Sequence, residues 1–158
     1  MHIPLRDKLL GSEGGSSLIE AAVFAPVLLM LMLGAADFGR GYYLAEEVAA
    51  AAHSGAEYAI QNPGRLSSDS TGIETAAKDD APNVSGLSVA TPAWGCECSD
   101  GSSFSAACAS VPSSCSTNWV YKVTVTASVN YAPLFPWPGI PSSFALSSSA
   151  TMRGGGNE

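Results

Sequence analysis

The sequence predicts an α+β chain: a long amino-terminal membrane-spanning helix that continues into an amphipathic helix, packed on a small antiparallel β-sheet domain with a disulfide loop. Three observations carry that expectation. Leu18 to Ala36 is apolar at almost every position, small apolar residues recur at three- and four-residue intervals from Tyr42 to Asn62, and Trp119 to Tyr131 alternates apolar with polar before a second alternating segment, Phe144 to Met152. The expected layout is a leader over 1–15, a transmembrane helix over 16–40, an amphipathic extension over 41–62, an extracytoplasmic α+β domain over 63–153 with a cysteine loop at 96–115, and a flexible tail over 154–158.

Composition narrows the function classes. Of 158 residues, 13% are charged, against about a quarter in a typical soluble domain, and the apolar excess is concentrated before residue 37. A formal charge of -7 leaves no broad basic surface to neutralise phosphates, which argues against nucleic-acid partners. The acidic residues Glu46, Glu47, Glu57, Glu74, Asp79 and Asp80 are scattered, as on a solvated face.

Residues Met1 to Gly15 form a short polar leader with Arg6 and Lys8 offset by Asp7 and Glu13. The following stretch, Ser17 to Ala36, would span about 30 Å at about 1.5 Å per residue, the thickness of a bilayer core. Three processing outcomes fit such a segment: release by signal peptidase near Gly34-Ala35-Ala36, retention as an uncleaved anchor, or removal of the leader ahead of the apolar stretch. Glu20 separates them. A carboxylate near a bilayer centre costs about 2.5–3.5 kcal/mol, less towards the edge, and so requires a partner. Cutting between Gly15 and Ser16 would create an ammonium four residues before Glu20, one helical turn away on the same face.

The run Gly15-Ser16-Ser17-Leu18-Ile19-Glu20, with Gly before the cut and Glu at the fifth mature position, resembles the class III prepilin site of Tad (tight adherence) systems. The likeness continues through Ala22-Val23-Phe24-Ala25-Pro26 and Ala36-Asp37-Phe38-Gly39-Arg40-Gly41-Tyr42-Tyr43, which is similar to the TadE-like minor pilin, or pseudopilin, family. Ala21 stands where major Flp pilins tend to carry Tyr, and the chain is much longer than those pilins. Both departures favour the minor class. The resemblance implies processing by prepilin peptidase at Gly15 and Ser16, and an assembly contact at Glu20, which in that family pairs with an amino terminus in the growing assembly.

Beyond the membrane segment, Tyr42, Ala45, Val48, Ala49, Ala52, Ala56, Ala59 and Ile60 form an apolar stripe, with Glu46, Glu47, His53 and Glu57 between them. No Pro intervenes before Pro63, so one helix is expected to run through. Its stripe is mostly Ala, which lets a partner backbone approach closely, and the expected partner is the chain's own carboxy-terminal sheet. Asn62-Pro63-Gly64 ends the helix. Ser68 to Thr71 supplies N-cap candidates for a short helix over Gly72 to Asp80, and Pro82 stops it. Val84 to Thr91 is expected as a first strand. Trp119 to Tyr131 and Phe144 to Met152, joined by the Pro-rich Pro133 to Pro141, are expected to pair antiparallel. Ser147 to Arg153 also resembles the close of TadE-like proteins, while Ser67 to Asn118 carries no recognised motif. Trp94, Trp119 and Trp137 read as core or loop anchors.

The four cysteines, Cys96, Cys98, Cys108 and Cys115, cluster in a Ser/Gly-rich stretch beyond the apolar segment, as expected of disulfides in an oxidising compartment. Their spacing does not match paired C-x2-4-C zinc ligands, and His53 is the one histidine outside the leader. Adjacent Cys96 and Cys98 are the least comfortable pair sterically, so both are expected to cross to Cys108 and Cys115, in either order. Each bridge would contribute roughly 2–4 kcal/mol. No nucleophile elbow, usable base or phosphate-binding loop is present, so no catalytic residue, metal or cofactor is expected.

The resemblance therefore implies a structural role: a processed minor pilin that helps initiate, cap or support a Tad-type (type IVb, Flp) pilus or secretion apparatus. Its implied partners are prepilin peptidase, other pilin and pseudopilin subunits, an inner-membrane assembly platform and the lipid bilayer. The expected topology is single-pass in the cytoplasmic membrane, with the amino terminus cytoplasmic. An uncleaved, membrane-anchored binding or adhesion module is the alternative, and a soluble domain released near Ala36 is a further one.

Overall fold

The computed structural model describes residues 14–65, 68–106, 108, 115 and 118–156. Helix α1 runs Gly14–Gln61 with Pro26 inside it, a 3-10 turn follows at Pro63–Arg65, and α2 spans Ser70–Asp80. Among the described residues, five strands complete the order: β1 (Ser88–Val89), β2 (Ala93–Cys98), β3 (Phe104–Ser105), β4 (Trp119–Tyr131) and β5 (Phe144–Gly156). The α+β class expected from the sequence is the one observed, and most of the expected leader, residues 1–13, lies outside the described residues. The chain divides into two compact units between Gly39 and Arg40.

In the first unit, α1 from Ser17 onward presents its apolar side chains outward. Leu18, Phe24, Leu31 and their neighbours are all exposed, as expected of a helix whose solvent is hydrocarbon. By length and composition α1 is able to cross a membrane.

The second unit is organised by β4, which pairs antiparallel with β1, β2 and β5. β1 and β2 share one side of it, β5 takes the other, and β3 lies outside β2. Period-two alternation puts Val123, Val125, Ala127, Val129 and Tyr131 on one face of β4, all buried. Against that face lie Val48, Ala51, Ala52, Ala56 and Ala59 of α1, with Ile73, Ala77 and Ala81 in or just after α2. The observed stripe on α1 is rotated from the expected one: Ala51 and Gly55 are buried, whereas Tyr42 is exposed. Gly55 marks a close crossing of α1 with α2 and β4. A methyl there would lie 3.2 Å from Val125 Cγ1, 3.3 Å from Ala77 Cβ and 3.3 Å from the Ile73 carbonyl oxygen.

The start of α2 is tied to α1. Asp69 caps α2 by accepting a 2.9 Å hydrogen bond from the Gly72 amide, and the Tyr58 hydroxyl donates to the same carboxylate at 3.0 Å. The cap satisfies a helix donor that would otherwise lack a partner.

Three elements differ from the sequence expectation. The strand expected over Val84 to Thr91 contracts to β1, because Val84 and Leu87 turn into the core and Gly86 at φ 79° reverses the backbone between them. β2 takes in Cys96 to Cys98 of the expected cysteine loop, and its pairing partners on β4 are in register from Ala93↔Thr124 to Cys98↔Trp119. The expected flexible tail is corrected over Gly154 to Gly156, which continue β5 past Met152. Gly154 lies opposite Tyr121 and Gly156 opposite Val120, so Gly155 bulges out at φ 59°. A Cβ on Gly154 would stand 2.9 Å from Ile60 Cγ1, and one on Gly156 would collide with the Trp119 carbonyl. Glycine is what allows this strand to close against its neighbours. The remainder of the expected tail, residues 157–158, lies outside the described residues.

Candidate functional site

The sequence-derived processing and assembly residues fall together at the start of α1. Gly15 and Ser16 occupy its first turn and Glu20 follows one turn later. Along Ser17 to Ala36, Glu20 is the sole charged residue, flanked by exposed Leu18, Ile19, Val23 and Phe24. A new ammonium at Ser16 would stand at the positive end of the helix dipole, where cations are disfavoured. A carboxylate four residues along the same face offsets it, and removes from hydrocarbon one charge that would otherwise stand alone.

Residues 15–57 match the family model for TadE-like protein. This segment is TadE-like. Its match begins at Gly15, includes Glu20 and the apolar stretch, and ends at Glu57 within α1, before α2 and every strand. No curated protein and no solved structure matches the chain.

The disulfides staple the TadE-like helix's partner sheet. Cys96 is bonded to Cys108 and Cys98 to Cys115, which resolves the order that spacing alone left open. Cys96 and Cys98 are fully buried on β2, on the same side of the sheet as Tyr121 and Trp119 opposite them. Just after β2, Asp100 is held below the usual carboxylate range by hydrogen bonding from the Ser102 hydroxyl and its backbone amide.

The intervening Glu97 points to the opposite face and was missed by the sequence reading. It is buried, with Oε1 accepting from Lys122 Nζ at 3.2 Å and Oε2 2.8 Å from Arg153 Nε. The Arg153 contact is an ion pair without hydrogen-bond alignment, leaving Oε2 short of a donor. Lys122 Nζ also stands 5.6 Å from the centre of the Phe104 ring, which covers Gly95. One carboxylate thus joins β2, β4 and β5. Alternation of Trp94, Cys96 and Cys98 could have placed Glu97 on the far face; no local signal identified Lys122 and Arg153 as its partners. Among the described residues, no three His, Cys, Asp or Glu side chains are grouped to hold a metal ion.

Proposed function

We propose that this chain is a minor pilin, or pseudopilin, of a Tad-type pilus or secretion apparatus. Prepilin peptidase cuts between Gly15 and Ser16, the apolar half of α1 holds the subunit in the cytoplasmic membrane, and the disulfide-bearing domain lies outside it. Glu20 then pairs with the amino terminus of an adjoining subunit, and the apolar helix surface joins that subunit as the assembly initiates, is capped or is supported. The single observation that carries this reading is one carboxylate at the fifth position after Gly15, in an otherwise apolar helix, within a TadE-like match. The extracytoplasmic placement is supported by two disulfides, which persist in oxidising compartments. The role is structural, with other pilin subunits and an inner-membrane platform as partners.

The test is the mature amino terminus, determined by mass spectrometry in cells with and without prepilin peptidase, for the parent chain and Glu20→Ala. A peptidase-dependent start at Ser16, with Glu20→Ala cut normally but excluded from the assembly, is the expected result. An intact leader would replace this reading with an anchored binding module, and a start near Asp37 with a released domain.

A further inference from the structure

Within the second unit, the exposed large apolar side chains are concentrated at one end. β4 closes at Tyr131 and β5 opens at Phe144; the two residues are directly paired, with ring centres 5.4 Å apart. Tyr131 is buried beside the first helical residues of the unit: the Arg40 guanidinium lies 5.6 Å from its ring centre, and a methyl on Gly41 would come 3.4 Å from its Cζ. The loop over residues 132–143 therefore leaves the sheet at the end where α1 enters the unit.

That loop carries four prolines and no charged residue. Leu134, Phe135 and Ile140 project from it, at 58%, 40% and 50% exposure. Phe135 also meets half-buried Trp137 edge-on at 6.3 Å. Tyr42, Tyr43 and Phe144 add exposed rings at the same end, and among the described residues of this unit Phe104 is the one other large apolar side chain so exposed. Apolar side chains gathered with Trp, Tyr and Arg are the composition of a membrane interface. In the sequence, the apolar run Ser17 to Ala36 ends four residues before Arg40.

We propose that loop 132–143 is a membrane foot: it rests in the interfacial layer of the leaflet from which α1 emerges, with Leu134, Phe135 and Ile140 inserted and Trp137 at headgroup level. The inference rests on the membrane-anchor part of the proposed function and is independent of leader processing. Its occupant is lipid. Proline shortens the conformational search of the loop, so holding it at the interface orders little additional chain. Arg40, exposed at the same end, is placed to meet lipid phosphate groups, which both leaflets present.

The test uses the full chain in vesicles of phosphatidylethanolamine and phosphatidylglycerol carrying nitroxide quenchers either near the headgroup or near the bilayer centre. With Trp94→Phe and Trp119→Phe, emission comes from Trp137 alone. The expected result is emission roughly halved by the shallow quencher and less affected by the deep one, with protection restored by joint Leu134→Ser, Phe135→Ser and Ile140→Ser. In the unaltered chain, a photoactivatable phospholipid should label peptides covering residues 132–143, a readout that does not depend on the tryptophan variants folding. Chain that resists alkaline extraction but shows neither quenching nor labelling overturns the foot while leaving the anchor intact. Protection of Trp137 that grows with protein-to-lipid ratio, without quenching, overturns it in favour of a second copy of the chain. Release of the chain by alkaline extraction overturns the anchor and the foot together.

Discussion

Substituting Gly55 probes the crossing on which the whole domain is assembled. An added methyl meets Val125 Cγ1 at 3.2 Å, Ala77 Cβ at 3.3 Å and the Ile73 carbonyl oxygen at 3.3 Å, and the two carbon contacts are inside the ordinary separation of about 3.5–4.0 Å. The contacts come from β4 on one side and α2 on the other, so α1 has no direction in which to retreat from both. Gly55→Ala gains about 1 kcal/mol in helix propensity and loses about 1–3 kcal/mol to overpacking, a net cost of roughly 0–2 kcal/mol. Gly55→Val brings two further methyls and a β-branched side chain into the same space, and the expected net cost is about 3 kcal/mol or more. At roughly 4 °C per kcal/mol for a domain of this size, the valine variant should melt about 12 °C or more below the parent. The assay is thermal unfolding of the disulfide-intact full chain in detergent micelles, followed by near-ultraviolet circular dichroism. Gly64, where nothing lies within 4 Å of an added methyl, is the control, and Gly64→Ala should change stability by less than about 0.5 kcal/mol. A Gly55→Val chain that melts with the parent would refute the close α1–α2–β4 crossing.

Joint Lys122→Ala and Arg153→Ala should cost about 1–3 kcal/mol, less than loss of a fully buried pair because the side chains of Lys122 and Arg153 are 31% and 50% exposed; adding Glu97→Gln should recover part of it, and urea unfolding that is unchanged by the double variant would count against the cluster. Non-reducing peptide maps should yield Cys96–Cys108 and Cys98–Cys115, and joint Cys98→Ser and Cys115→Ser should lower stability by about 2–4 kcal/mol; a crossed pairing would refute the arrangement. Asp69→Ala should cost about 1 kcal/mol through the lost cap, and a melting temperature equal to the parent's would show that the cap carries no stability. The Tyr58 hydroxyl is raised above its ordinary value of 10.0, chiefly by its hydrogen bond to Asp69, then by burial and by the Asp69 charge. The stability carried by this tether is therefore complete below pH 10.0 and lost as pH rises through the elevated folded value. Phenolate absorbance should show a late-ionising component that disappears in Tyr58→Phe, and its persistence there would contradict the assignment.

Much of the fold was legible where side-chain periodicity and burial agree. Trp119 to Tyr131 alternated clearly because β4 has one face on the helices and one outward, and its observed bounds are the expected ones. The short helix after Asn62 was visible through its cap residues and its Ile73 and Ala77 spacing. Less legible was the rotation of α1, since an Ala-rich helix has many apolar faces and the choice of Ala51 and Gly55 is made by what β4 and α2 allow. β2 was hidden for another reason: its buried side chains include two cysteines, whose clustering reads as a loop staple, and Gly95 is apolar but small. Residues Gly154 to Gly156 looked like a free end because glycine has low strand preference, yet lack of a side chain is what their close pairing requires. At the candidate site, Glu20 was evident because a charge in an apolar run is costly whatever surrounds it. Glu97 looked ordinary because its partners come from strands far along the chain.

The order of elements also sets when the domain is able to fold. The Ala-rich face of α1 is made early, whereas β4, which covers it, comes after β2 and the cysteine-bearing segment, and β5 comes later still. During synthesis, that face and the Cys96 and Cys98 thiols must wait for downstream chain before either is enclosed. Contacts of such long sequence separation form slowly, and an uncovered apolar helix is an aggregation risk while it waits. On the proposed function, tethering the helix at a bilayer would hold the unfinished chains apart from bulk solution until β4 arrives, so an anchor would act as a folding aid as well as an attachment.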